Sequence, residues 1–142
     1  RPNESGPSLL ITLAGLKDRR GKVKAELYPN NDQDFLEDDN KLVAAGKTFR
    51  RVEIAVPATG SVMLCIRTPG PGTYTLSILH DRDSNRKFGL STDGLGFTTL
   101  ARLGFSKPKA AVSPATSGTG PTQINVTMQY RKGLFSFGPL NN

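Results

Sequence analysis

Between Pro69 and Asn85 the chain breaks, alternates and turns in unbroken succession. Pro69-Gly-Pro-Gly72 ends whatever precedes it. Tyr74, Leu76, Ile78 and His80 then share one face, and Thr73, Thr75 and Ser77 share the other. A period of two with apolar groups on one side specifies a half-buried strand, because successive strand side chains point to opposite faces. Such a strand has to lay its apolar face on other strands, so this segment is expected to be the central strand of a sheet.

The same alternation recurs along the chain. Leu9, Ile11 and Leu13 form one apolar face; Val23, Ala25 and Leu27 alternate with Lys22, Lys24 and Glu26. Val52, Ile54 and Val56 follow, then Val62, Leu64 and Ile66, and finally Ile124, Val126, Met128 and Tyr130. The segment from Asp34 to Ala45 spaces Phe35, Leu36, Leu42 and Val43 as an irregular stretch or short helix. Short strands separated by turns, with no long helix, predict an all-β fold: an antiparallel β-sandwich of about seven strands, immunoglobulin-like in its layering, with a small closed barrel as the alternative. Residues 1–8 read as a polar N-terminal segment and 81–121 as one long rim loop between the last two main strands. The second half of that loop, Val112 to Pro121, has the composition of a mobile linker. Residues 133–142 read as a tail whose Leu134, Phe135 and Phe137 either pack on an edge or form an exposed patch.

The 142 residues suit a single domain large enough to bury a core. One cysteine, Cys65, excludes an intrachain disulfide. As a small hydrophobe on a strand with no base beside it in sequence, Cys65 reads as packing rather than nucleophile. No segment approaches the length of an apolar membrane helix. A net charge of +7 favours anionic partners. Lys17, Arg19, Arg20, Lys22 and Lys24 gather at the tip of the first hairpin as a candidate anion patch, although a charged hairpin tip is ordinarily a solvated face. Nucleic acid is not expected, since the aromatics do not alternate with basic residues on a strand face and no phosphate-binding glycine loop is present.

The candidate contact rim is His80, Asp81, Asp83 and Asn85, with Tyr74 on the same strand. Asp81, Asp83 and Asn85 match the first three ligand positions of a calcium loop. The match stops at Arg86 and Thr92, where such a loop needs glycine and glutamate, and Arg82, Arg86 and Lys87 oppose a dication unless another segment brings acids. The alternative is a set of turns in which these side chains bond backbone N–H groups. His80 is the only histidine. It reads as a structural imidazole rather than a general base, so neither catalytic activity nor a cofactor is expected.

The order of motifs, Leu13-x-Gly15-Leu16, Gly21-x-Val23, Leu27-Tyr28, Phe35, Pro71-Gly-Thr-Tyr74, His80-Asp-x-Asp-x-Asn85, Gly94-x-Gly-Phe97 and Ile124-x-Val-x-Met-x-Tyr130, resembles the bacterial domain of unknown function 2141 family. The resemblance runs from about Leu9 to Tyr130. It implies an exported, envelope-associated sandwich, similar also to transthyretin-like and carboxypeptidase-regulatory modules, with no activity attached. The chain departs from the family pattern at Asp83, where asparagine is more usual, and near Arg86 and Gly89. The start at Arg1, with a polar segment after it, is compatible with a mature exported protein. The function expected is therefore a non-catalytic binding or structural module of the bacterial envelope, periplasmic or secreted, contacting an envelope protein or polysaccharide. A calcium-dependent module and an anionic-glycan binder are the alternatives.

Overall fold

The computed structural model describes residues 6–83, 93–100, 108–131 and 137–138. Along them run β1 (Ser8–Ala14), β2 (Lys22–Pro29), α1 (Asp39–Ala44), β3 (Arg50–Ala55), β4 (Val62–Arg67), β5 (Gly72–Asp81), β6 (Gly94–Phe97), β7 (Pro114–Ser117), β8 (Pro121–Arg131) and β9 (Phe137–Gly138). The protein is all-β. Its strands lie in the order β3-β2-β5-β6-β8-β1-β4, with β7 also pairing β5 and β9 pairing β8.

Two features correct the expected antiparallel sandwich. β1 runs parallel to β8, from Ser8 opposite Pro121 to Ala14 opposite Thr127, so the sheet is mixed. Alternation decides which side chains point inward but says nothing of a neighbour's direction, and parallel pairing needs only a long connection. The second correction is curvature. β3 and β4 end the strand order, yet only residues 56–61 separate Ala55 from Val62. Seven flat strands about 4.8 Å apart would hold those edges about 29 Å apart. Seven residue steps reach at most about 25 Å when fully extended. The sheet therefore curls until its edges approach, giving a nearly closed, barrel-like layer instead of two stacked ones.

Inside the curl lie Leu9, Ile11, Leu13, Val23, Ala25, Leu27, Val62, Leu64, Ile66, Leu76, Ile78, Val126, Met128 and Tyr130, the inward positions expected of each strand. A second apolar cluster, Tyr28, Phe35, Leu42, Phe97 and Ala110, lies apart from it. There Phe35 meets Tyr28 and Phe97 edge to face at 5.6 and 5.9 Å. α1 contributes Leu42 to this cluster and starts at Asp38, whose carboxylate accepts the Asn40 N–H at 3.0 Å. β5 is consequently covered on both faces: Thr75 and Ser77, expected toward solvent, are buried. Burial leaves no orphan at Thr75, whose hydroxyl donates to the Pro29 carbonyl at 2.9 Å.

The span 81–121 is not one structureless loop. It holds β6, a 3-10 turn at Ala110–Val112 and β7. β7 pairs with β5 from Gly72 opposite Ser117 to Thr75 opposite Pro114. Backbone pairing needs no apolar side chain, so a stretch rich in Ser, Thr and Gly reads as linker and folds as strand. Ser113 joins the pieces: its hydroxyl donates to the Leu76 carbonyl and accepts the Thr98 N–H. Of the tail, Phe137 and Gly138 lie opposite Arg131 and Tyr130 on β8.

Candidate functional site

Two connections meet at the end of the barrel to which β5 delivers His80. The β1–β2 connection, residues 15–21, is fastened to the β3–β4 connection by the Val56 N–H, which donates to the Gly21 carbonyl at 3.1 Å. Arg19 adds to this, its Nη1 donating to the carbonyls of Pro57 and Gly60 at 3.2 and 2.9 Å. Gly21 fits for two reasons. Its φ is +70°, and a Cβ there would stand 2.0 Å from the Asp81 carbonyl oxygen, so only glycine lets this loop lie against the end of β5.

His80 is fully buried within this junction. Its Nε2 lies 2.7 Å from the Arg20 carbonyl, which can only accept, so Nε2 carries the proton. Nδ1 is then an acceptor and takes the Tyr130 hydroxyl proton at 2.6 Å. The same hydroxyl accepts the Lys17 N–H at 3.0 Å. One chain of bonds thus runs from Lys17 through Tyr130 and His80 to Arg20, clasping both ends of the β1–β2 connection to β5 and β8. Burial holds the imidazole below its ordinary pKa, against the raising influences of Arg20, Asp18 and Asp93 and with the lowering influence of Arg82. Burial likewise pushes the Tyr130 phenol up to about 12.

Room for this contact comes from β6. A Cβ on Gly94 would lie 2.4 Å from the Tyr130 ring, and one on Gly96 would lie 2.7 Å from both the Met128 sulfur and Val126. The two glycines make β6 thin where two large side chains of β8 cross it. At the mouth, Asp18 accepts from Arg82 Nε and Nη2 at 3.0 and 2.5 Å, and this guanidinium holds its carboxyl below the usual range.

The rim residues do not all come together. Asp81 follows His80 on β5 and is buried; Asp83 is exposed. Asn85 lies outside the described residues. Tyr74 stands at the opposite end of β5, about 20 Å away at strand spacing, where its hydroxyl donates to the Gly70 carbonyl at 2.8 Å. What the sequence reading missed is Asp93, buried just before β6, whose carboxylate accepts the Arg82 N–H at 3.0 Å. Carboxylate oxygens of Asp81, Asp83 and Asp93 lie within 4.8 Å of one another. Two oxygens on opposite sides of a calcium ion, each about 2.4 Å from it, sit about as far apart, so the three fit one cation. No local spacing links Asp93 to Asp81; the β5–β6 pairing of His80 with Gly94 does.

The basic residues are dispersed as well. Lys24 lies on β2 with its Nζ 3.6 Å from Glu26, and Lys22 stands opposite Asp81. Lys17, Arg19 and Arg20 remain exposed on the connection, where Asp18 is already engaged by Arg82.

The protein-family model described as an uncharacterised protein conserved in bacteria, domain of unknown function 2141, matches residues 11–125. The chain belongs to that family. In this member of the domain of unknown function 2141 family the match runs from β1 into β8, and so includes His80, the three aspartates and both β6 glycines. Tyr130 lies just past its end. No curated protein and no solved structure showed significant similarity to the chain.

Proposed function

We propose that this domain is a non-catalytic binding module of the bacterial cell envelope, exported in its working form, which meets its partner through the loops around His80. The observation that carries the non-catalytic reading is the engagement of both ring nitrogens of the only histidine, one by a hydroxyl and one by a carbonyl, at a fully buried position. A general base has to reach a substrate proton, and this imidazole presents no open nitrogen. Its work is to hold the β1–β2 connection in place for contact. The test is a panel of ester, phosphoester and glycoside substrates incubated with wild type and with His80→Gln. Neither protein should turn over any of them; turnover by wild type would contradict the reading, and its loss in a folded His80→Gln would assign it to the imidazole.

A calcium-dependent form of the module is favoured by one observation. Asp93 supplies the acid from another segment that the Asp81-x-Asp83 pattern lacked, while the Arg82 guanidinium, one of the charges opposing a dication, is bonded to Asp18. Thermal melting with calcium and then with chelator decides it. Binding to the folded state alone raises the midpoint, by about 2.7 kcal/mol of stability at a hundredfold excess over Kd. An unmoved midpoint at saturating calcium removes this form and leaves the non-catalytic reading intact.

A further inference from the structure

Between the β1–β2 and β3–β4 connections lies an open cavity of about 560 Å³, lined among others by Leu13, Gly15, Leu16, Arg19, Ser61 and Val62. We propose that this cavity binds a carboxylate carried on a sugar ring, as in the uronic acid units of an acidic polysaccharide, with Arg19 as its anion-binding group. The inference rests on the binding-module reading and names the ligand class.

Arg19 is unlike the other basic residues of the connection. Both hydrogens of its Nη1 are taken by backbone carbonyls of the opposite connection, which fixes the guanidinium plane at the mouth of the cavity. The Nε and Nη2 hydrogens have no acceptor among the described residues. They form one planar donor edge, the geometry that meets the two coplanar oxygens of a carboxylate. A guanidinium held in advance loses little side-chain freedom on binding. Asp18, the acid beside Arg19 in sequence, is engaged by Arg82, so Lys17 and Arg20 leave the local field positive.

The rest of the cavity selects what carries the carboxylate. Its exposed lining is more polar than apolar: Leu13 and Val62 are buried beneath it, Leu16 is half-buried, and Ser61 supplies an exposed hydroxyl. A mainly polar lining with one half-buried leucine and one fixed charge suits a ring rich in hydroxyls that carries a carboxylate. The volume lies within the ordinary range for small-ligand sites and far exceeds what a bare anion fills.

The experiment is an equilibrium titration of the whole chain with trigalacturonate, galacturonate and neutral maltotriose. Wild type should bind trigalacturonate saturably and maltotriose not at all; saturation by the monomer as well assigns the site to a free sugar acid or chain end. Arg19→Lys, which keeps the charge and loses the fork, should weaken binding at least about tenfold. Ser61→Phe, which fills the mouth without touching any charge, should do the same, and serves where Arg19→Lys fails to fold. The double variant Lys22→Gln, Lys24→Gln should leave affinity unchanged. Binding that falls in the double variant and is unmoved by Arg19→Lys and Ser61→Phe would overturn the cavity and leave a diffuse basic patch. Absence of wild-type binding overturns the uronate ligand, while the non-catalytic reading stands or falls separately on the substrate panel.

Discussion

Tyr130 on β8 and His80 on β5 meet over Gly94 of the intervening β6, hydroxyl to Nδ1 at 2.6 Å, with their rings edge to face at 5.8 Å. Because Lys17 N–H reaches the same hydroxyl and Arg20 accepts from the other ring nitrogen, this pair anchors the loop that builds the candidate binding surface.

Tyr130→Phe removes one oxygen and leaves both the His80 Nδ1 and the Lys17 N–H without their partner. A buried group left unsatisfied costs about 1–3 kcal/mol, so urea denaturation should show a loss in that range with an unchanged slope. Amide hydrogen exchange should quicken at Lys17 and Arg20 more than along β1.

Gly94→Ala places a methyl where the Tyr130 ring now lies. Overpacking of this kind costs about 1–3 kcal/mol. Gly70→Ala, where an added Cβ meets nothing within 4 Å, should change stability by less than about 0.5 kcal/mol. Melting the two variants side by side separates the demand for space at β6 from any general effect of removing a glycine.

Acid should weaken the fold through His80. Its folded pKa is depressed by burial, whereas in the unfolded chain it takes a proton near the ordinary value of about 6.5. Between those two values the unfolded state holds the extra proton, so stability is full above about pH 6.5 and falls as pH drops toward the folded pKa, by up to about 1.4 kcal/mol per pH unit. The charged or titratable groups acting on the ring are Asp18, Arg82, Asp93 and Tyr130. Urea midpoints across that interval should fall in wild type and fall less in His80→Gln.

Which residues point inward was legible in the sequence, because burial on one face of a strand imposes a period of two that Leu9, Val23, Val62, Leu76 and Val126 all obey. Partnership was not. The parallel β1–β8 pair and the curl of the sheet depend on which strands adjoin, a relation between segments far apart in the chain. β7 escaped because its contribution is backbone, carried by residues that otherwise build linkers. At the site, His80 and Asp81 stood out on their strand, but Asp93 and Tyr130 reach them only through the β5–β6 and β6–β8 pairings. The one signal for that contact was Gly94-x-Gly96, whose spacing puts both missing side chains on a single face of β6.

The single histidine makes the central claim directly measurable, since every imidazole signal belongs to His80. Long-range proton–nitrogen correlation spectra of the labelled protein should show one fixed tautomer at neutral pH, protonated at Nε2 with Nδ1 as acceptor, and no titration until the pH is well below about 6.5. An imidazole that exchanges between tautomers and titrates near its ordinary value would place His80 in contact with water, and the clasp between Tyr130 and Arg20 would not exist.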